Sequence, residues 1–379
     1  MNIIIAMDSF KGSVTSMEAG EAVASGIRTA VPGARHTIIP LADGGEGTAD
    51  ALVRATGGHL IRTRVTGPLG EPVDATYGLL GDGETAAIEI AETCGLTLVP
   101  ESERNPNNTT TYGVGELILD AIDRGAQSFI IGLGGSATND AGVGMLQALG
   151  YRFLDETGEE VPRGGKALGA IRSIDTAAVH PSLRGVLIQV ACDVNNPLYG
   201  EQGAAHIYGP QKGADQETVK ELDDGLRNFA RVVREHFGID VQAIQGAGAA
   251  GGLGAAFAGL LGGELRSGID LMLEAVDLNE HLKGADLVIT GEGKLDAQSS
   301  MGKTAMGVAG LAKELGVPCV ALAGSVTEDA AALNELGVTA YYSIMWEPMS
   351  LKDAMESERT KLNLSRTSHQ VIRLFLRSN

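Results

Sequence analysis

Five apolar runs in this chain stop abruptly in glycine, lysine, carboxylate or amide residues, the groups that bind and move anions. NIIIAM ends in Asp8, Ser9, Phe10, Lys11 and Gly12; HTIIPLA ends in Asp43, Gly44, Gly45, Glu46, Gly47 and Thr48. FIIGL runs into GLGGSATNDAGVGM, Gly132 to Met145, with Gly134, Gly135, Ser136, Thr138, Asn139 and Asp140. VLIQVAC ends in Asp193, Val194, Asn195 and Asn196, and LVIT ends in Gly291, Glu292, Gly293, Lys294, Leu295 and Asp296. One polar strand end means little, since turns favour Gly, Asn and Asp anyway, and Asn139 or Asp140 could simply cap a helix. Five together ask for a ligand. The glycines let backbone N–H groups reach an anion, with Ser9 and Thr48 beside them. Lys11, Lys294 and the Lys212 of GPQKGAD bring positive charge, and Asp43 and Asp296 are oxygen ligands suited to Mg²⁺. Asp193, flanked by Asn195 and Asn196, is the first candidate for a general base, and Asp8 the second. Lysines, N–H cradles, carboxylates and a base are the parts of phosphoryl transfer, whose barrier falls mainly through positioning and charge neutralisation.

Apolar strands must hold these groups at one sheet edge. NIIIAM, HTIIPL and LIRTRV alternate with helical stretches near Met17 to Ala30 and Gly47 to Ala55, a βαβ pattern that implies parallel strands. The pattern returns late: ADLVIT, a helix near Lys303 to Leu315, PCVALAG, a helix near Glu328 to Leu336, and TAYYSI. Residues 67–284 differ, with strand-like VDATYGLL and TAAIEIA, long Gly and Ala runs and a polar helix near Asp215 to Phe237. The expected fold is therefore α/β, with a doubly wound, Rossmann- or flavodoxin-like parallel-sheet domain built from both termini (1–66 and 285–379) and a second α/β domain (67–284) inserted. Ligands of such sheets sit outside the carboxyl ends of the strands, and a cleft between the domains is the expected site.

Composition narrows the partners. The 379 residues are 44% hydrophobic and 20% charged, and no apolar run approaches the roughly 20 residues that span a bilayer. The N-terminus has no basic lead and reads as a strand, not as a signal peptide. Cys94, Cys192 and Cys319 are widely spaced and odd in number, which suits small core residues in a reducing cytoplasm and not a zinc site. A net charge of −19 with 4% aromatics opposes nucleic acid and anionic membranes, so the expected partners are small molecules. Two named motifs come close. MGKT, Met301 to Thr304, resembles a P-loop tail, but Ala297 stands where its first glycine is required. GAGAAG, Gly246 to Gly251, fits the dinucleotide pattern and leaves a nicotinamide oxidoreductase as an alternative, though DVQAIQ before it is a poor buried strand.

The segments DSFKGS, ADGGEGT, NPNNTTTYGVGELI, GLGGSATNDAGVGMLQALG, ACDVNNPLYG, GPQKGAD, GAGAAGGLGAA and ITGEGKLDAQS occur in an order that resembles the bacterial type 1 glycerate kinases over essentially the whole chain. That resemblance implies ATP-dependent, Mg²⁺-assisted phosphorylation of D-glycerate, usually at the 2-hydroxyl, on a two-domain α/β fold whose first domain holds both termini. The 3-hydroxyl as acceptor, and a non-catalytic sugar-acid sensor, are the other readings.

Overall fold

The computed structural model describes residues 1–296 and 304–378, which fall into two compact units. Met301 to Lys303 of MGKT, and Ala297, lie outside the described residues.

One unit comprises Met1–Asp43, Asp50–Thr56 and the chain from Ile269 onward. Its strands are β1 (Asn2–Met7), β2 (Arg35–Pro40), β11 (Leu287–Leu295), β12 (Cys319–Val326) and β13 (Ala340–Ser343). Ile3 to Met7 are all buried, the continuous apolar run of a strand covered on both faces. Every pairing is parallel: Ile3 to Met7 lie opposite Leu287 to Gly291 on one side and His36 to Pro40 on the other. The order β13-β12-β11-β1-β2 is doubly wound and flavodoxin-like, and it reverses between β1 and β11. The helix Ser16–Ala30 starts at a capping box: the Glu18 N–H donates to the Thr15 hydroxyl oxygen at 3.2 Å, and the Thr15 N–H to Glu18 Oε2 at 3.0 Å. Gly26 of this helix lies against the long helix Ser357–Ser378, so close that a Cβ there would stand 2.1 Å from the Ser365 carbonyl oxygen.

The other unit comprises Gly44–Ala49 and Gly57–Gly268. Its mixed sheet has the order β10-β9-β6-β5-β4-β3, with β3 (His59–Thr66), β4 (Pro72–Leu79), β5 (Thr85–Glu89), β6 (Ser128–Gly132), β9 (Leu187–Ala191) and β10 (Glu264–Arg266). A separate hairpin pairs β7 (Arg152–Leu154) with β8 (Ser173–Asp175). Tyr77, Phe129, Phe153, Phe229 and Phe257 are fully buried in its core. The helix Gln216–Phe237 is capped by Asp215, which accepts the Thr218 N–H at 2.8 Å, and it turns buried Leu222, Leu226, Phe229 and Val233 inward at helical spacing.

Three elements depart from expectation. LIRTRV does not extend the parallel run: β3 pairs antiparallel with β4 through a turn in which the Gly67 N–H donates to the Glu71 carbonyl at 2.7 Å. The segment 269–284 packs with the first unit, because Ile269 and Leu273 close on Gly307 of the helix Thr304–Glu314. Gly291 to Leu295 are not a turn but the end of β11, kept extended by β12, where Lys294 pairs with Ser325 and Leu295 with Val326.

The Gly26 contact gives a test. Alanine normally favours a helix over glycine by about 1 kcal/mol. Here Gly26→Ala should instead lower stability by about 1–3 kcal/mol, because backbone must move to admit the methyl. Urea unfolding measures it; an unchanged or raised midpoint would rule the close packing out.

Candidate active site

In the first unit, the carboxyl ends of all the strands of the parallel sheet open into one cavity of about 740 Å³. Asp8, Ser9 and Lys11 come from the end of β1, Asp43 from beyond β2, Glu292, Gly293, Lys294 and Asp296 from β11 and its exit, and Gly324 and Ser325 from β12. Asp8 is 6% exposed. One of its oxygens accepts the Ser9 N–H at 2.5 Å and the other the Thr304 hydroxyl at 2.7 Å. Burial, with Asp43 adding to it, lifts the Asp8 carboxyl above its ordinary value against these hydrogen bonds. The two lysines each face a carboxylate: Lys11 Nζ lies 3.5 Å from Asp43, and Lys294 Nζ 2.7 Å from Asp296. The Asp296 hydrogen bond and charge raise the Lys294 ammonium above its usual value. Gly291 is buried inside β11, where a Cβ would stand 2.1 Å from the Leu322 carbonyl, so it serves close strand pairing. Glu292 and Thr304 were not singled out from sequence; Thr304 meets Asp8 from 296 residues away.

In the second unit, Gly44, Gly45 and Gly47 form a loop tied down by Glu89 at the end of β5. Glu89 accepts the N–H of Gly47 at 3.2 Å and of Ala49 at 2.9 Å, and burial raises its carboxyl above the ordinary value. The Thr48 hydroxyl donates to the Gly45 carbonyl at 2.7 Å and so closes the same turn. After β6, Gly134 and Gly135 are exposed, Ser136 is 7% exposed, and Thr138, Asn139 and Asp140 are wholly buried. Asp140 accepts from the Thr111 N–H and hydroxyl and from the N–H groups of Gly142 and Gly144, which fixes the loop from beneath. Lys212 is buried too, its Nζ 2.8 Å from Ser136 Oγ and 2.6 Å from the Thr138 carbonyl. Burial pushes the Lys212 ammonium down to about 8, with Cys94 and Asp140 opposing. Asp193 is exposed and accepts the Gly268 N–H at 3.0 Å, while Asn195 is exposed beside it. Asn196 bonds the Gln202 carbonyl and the Tyr208 hydroxyl.

The dinucleotide-like motif does not open a helix after a strand. A short 3₁₀ turn, Val241–Ala243, precedes it, and Gly248 and Gly251 let it press against the Pro197 and Thr138 carbonyls. Among the described residues no cluster of three or more His, Cys, Asp or Glu forms a ready metal cage. Asp43 and Asp296, the two carboxylates expected to hold Mg²⁺, both line the cavity of the first unit, each paired with a lysine. No helix among the described residues is long and apolar enough to cross a membrane.

A family model described as the glycerate kinase family matches residues 3–376. The chain is 50% identical to a glycerate kinase of Bacillus subtilis over 94% of its length and 93% of the relative's, and 45% identical to the glycerate 2-kinase of Escherichia coli K12 over 98% and 97%. It superimposes with a TM-score of 0.92 and 43% identity on a crystal structure from Salmonella typhimurium LT2, of a protein provisionally named glycerate kinase 2, covering 100% of this chain and 99% of that one.

Lys212 makes stability depend on pH with a defined sign. Its folded pKa lies near 8, below the ordinary 10.5 of the unfolded chain. Between these values the unfolded state binds more protons, so this group's penalty is full below pH 8 and is relieved as pH rises. Relative to Lys212→Met, the wild-type protein should gain unfolding free energy from pH 8 to 10, by on the order of 1 kcal/mol per pH unit. Parallel pH profiles of the two proteins would contradict a charged, buried Lys212.

Proposed function

The chain belongs to the glycerate kinase family and is a phosphotransferase, and from that premise we propose that it transfers the γ-phosphoryl group of ATP to the 2-hydroxyl of D-glycerate. The observation that carries this reading is the single cavity at the carboxyl ends of β1, β2, β11, β12 and β13, where a buried carboxylate, Asp8, meets Lys11 and Lys294. Acceptance at the 2-hydroxyl is supported by the 45% identity to the Escherichia coli glycerate 2-kinase.

Asp8 is the general base. Its hydrogen bonds to Ser9 and Thr304 hold the carboxylate still while it receives the hydroxyl proton as the glycerate oxygen bonds to phosphorus. The bond from phosphorus to the bridging oxygen breaks as that bond forms, and ADP leaves with the electron pair. Lys11 and Lys294 stabilise the charge that collects on the phosphoryl oxygens. Asp43 and Asp296 would hold Mg²⁺, which supplies Lewis-acid neutralisation of the phosphates. The cavity lining favours that assignment: among the described residues four carboxylates, Asp8, Asp43, Glu292 and Asp296, stand against Lys11 and Lys294, a balance that a cation bound with the polyanion would correct. Asp193, exposed and bonded to the Gly268 N–H, takes second place as base. Within its own unit, Lys212 is a positioning residue for Ser136, beside the exposed amides of Gly134 and Gly135, which form an anion cradle. Three free cysteines and small-molecule substrates support action in the cytoplasm.

Asp8→Asn keeps the shape and removes the basic oxygen. It should cut kcat by about 10² to 10⁴ with the fold intact, whereas Asp193→Asn should stay within about tenfold of wild type. The reverse ranking would hand the role to Asp193. Lys294→Ala should lower kcat by on the order of 10² with a smaller change in the glycerate KM. For the acceptor oxygen, enzyme, Mg-ATP and D-glycerate are incubated, protein is removed, and enolase is added. Phosphoenolpyruvate at once identifies 2-phosphoglycerate; a signal only after phosphoglycerate mutase would mean transfer to the 3-hydroxyl.

A further inference from the structure

The cavity of the first unit has an end that phosphoryl transfer leaves unused. Phe10, Ile344, Met345, Met349, Leu351 and Met355 line it, on the exit of β1 and on the segment that follows β13. Leu351 is 75% exposed and Met355 38%, so apolar surface is displayed at the mouth of a cavity where solvent contact is unfavourable. We propose that this end seats the purine ring of ATP, with the ribose and phosphates running along the strand ends toward Lys11 and Lys294; the proposal rests on the ATP-dependent reading above.

Size and span support one elongated occupant. About 740 Å³ suits a cofactor-sized molecule, and glycerate would fill a small fraction of it. Apart from Phe10, the apolar lining follows β13, which in the order β13-β12-β11-β1-β2 lies two spacings from the strand that carries Lys294 and three from the one that leads to Lys11, roughly 10 to 14 Å. An extended nucleoside triphosphate covers that distance. The lining also sets how the ring is recognised. Methionine side chains mould to a flat aromatic face and make favourable sulfur contacts with it. Among the described residues, Ser13 and Thr360 at this end are already engaged, with each other at 2.7 Å and Thr360 with the Ala354 carbonyl at 3.1 Å. The ring is therefore gripped by its faces and not read along its edge, which makes ATP and GTP close competitors.

Nucleotide binding is read without turnover, by titration calorimetry and by the fluorescence of Trp346, the chain's single tryptophan, which adjoins Met345. Wild-type protein should bind ATP at least about tenfold more tightly than inorganic tripolyphosphate, and GTP within about tenfold of ATP. Ala354→Phe, which fills the apolar end, should weaken ATP by about tenfold or more and leave tripolyphosphate within about twofold. Leu351→Glu changes a solvent-facing side chain, threatens folding least, and should act in the same sense. ATP affinity unaltered in both folded variants, or ATP and tripolyphosphate weakened alike, would overturn the proposal even if glycerate is phosphorylated normally. Selective loss of ATP binding upholds it even if glycerate proves not to be the acceptor.

Discussion

Parallel pairing of Ile3 to Met7 with Leu287 to Gly291 is the constraint on which the first unit depends. It joins two chain segments 284 residues apart, and it does so where the strand order of the sheet reverses. Parallel strands cannot be linked by tight turns, so each exits at the same edge and leads into a helix or a long excursion. The result is that Asp8, Asp43 and Lys294, with no local relation in sequence, emerge side by side. The chemistry of the cavity follows from topology before any particular side chain is considered.

The strands of this sheet are legible because they are buried on both faces and read as unbroken apolar runs bounded by turn residues. β3 was harder. Its burial alternates, the mark of an antiparallel strand with one face in solvent, and Gly67-Pro68-Leu69-Gly70 is a turn signal that the late βαβ grammar overshadowed. The end of β11 misled in the opposite way. Gly291 looks like a turn residue, yet its missing side chain lets β12 approach, since a Cβ there would stand 2.1 Å from the Leu322 carbonyl, and on β12 Gly324 closes in the same way on the Gly293 carbonyl. Glycine marks close approach of backbone as readily as it marks a bend.

Polar residues at the strand ends were visible in the sequence, but their partners were not. Nothing near Lys212 announces that its ammonium is buried against Ser136, 76 residues upstream. Nothing near Asp8 announces Thr304. The apolar end of the cavity left no period at all, since Phe10 and the residues from Ile344 to Met355 come from opposite ends of the chain and share no helix or strand. Local pattern reports which face of an element is covered. It does not report what two distant loops build together.

The contrast between Asp8 and Asp193 shows why that matters for mechanism. From sequence they are alike: each follows an apolar strand and stands near polar neighbours. In the structure Asp193 is exposed, where water competes for its charge, whereas Asp8 is 6% exposed and held by Thr304 and Ser9. A carboxylate gains basicity when burial disfavours its charged form and is oriented when fixed donors hold it, and Asp8 has both. Those same donors oppose the rise that burial causes. The neighbouring carboxylate, Asp43, pushes in the direction of burial, and Lys11 pulls against it from the same loop. The ion pair between Lys11 and Asp43 therefore brings two opposed influences to Asp8, while burial and the Thr304 hydrogen bond outweigh both.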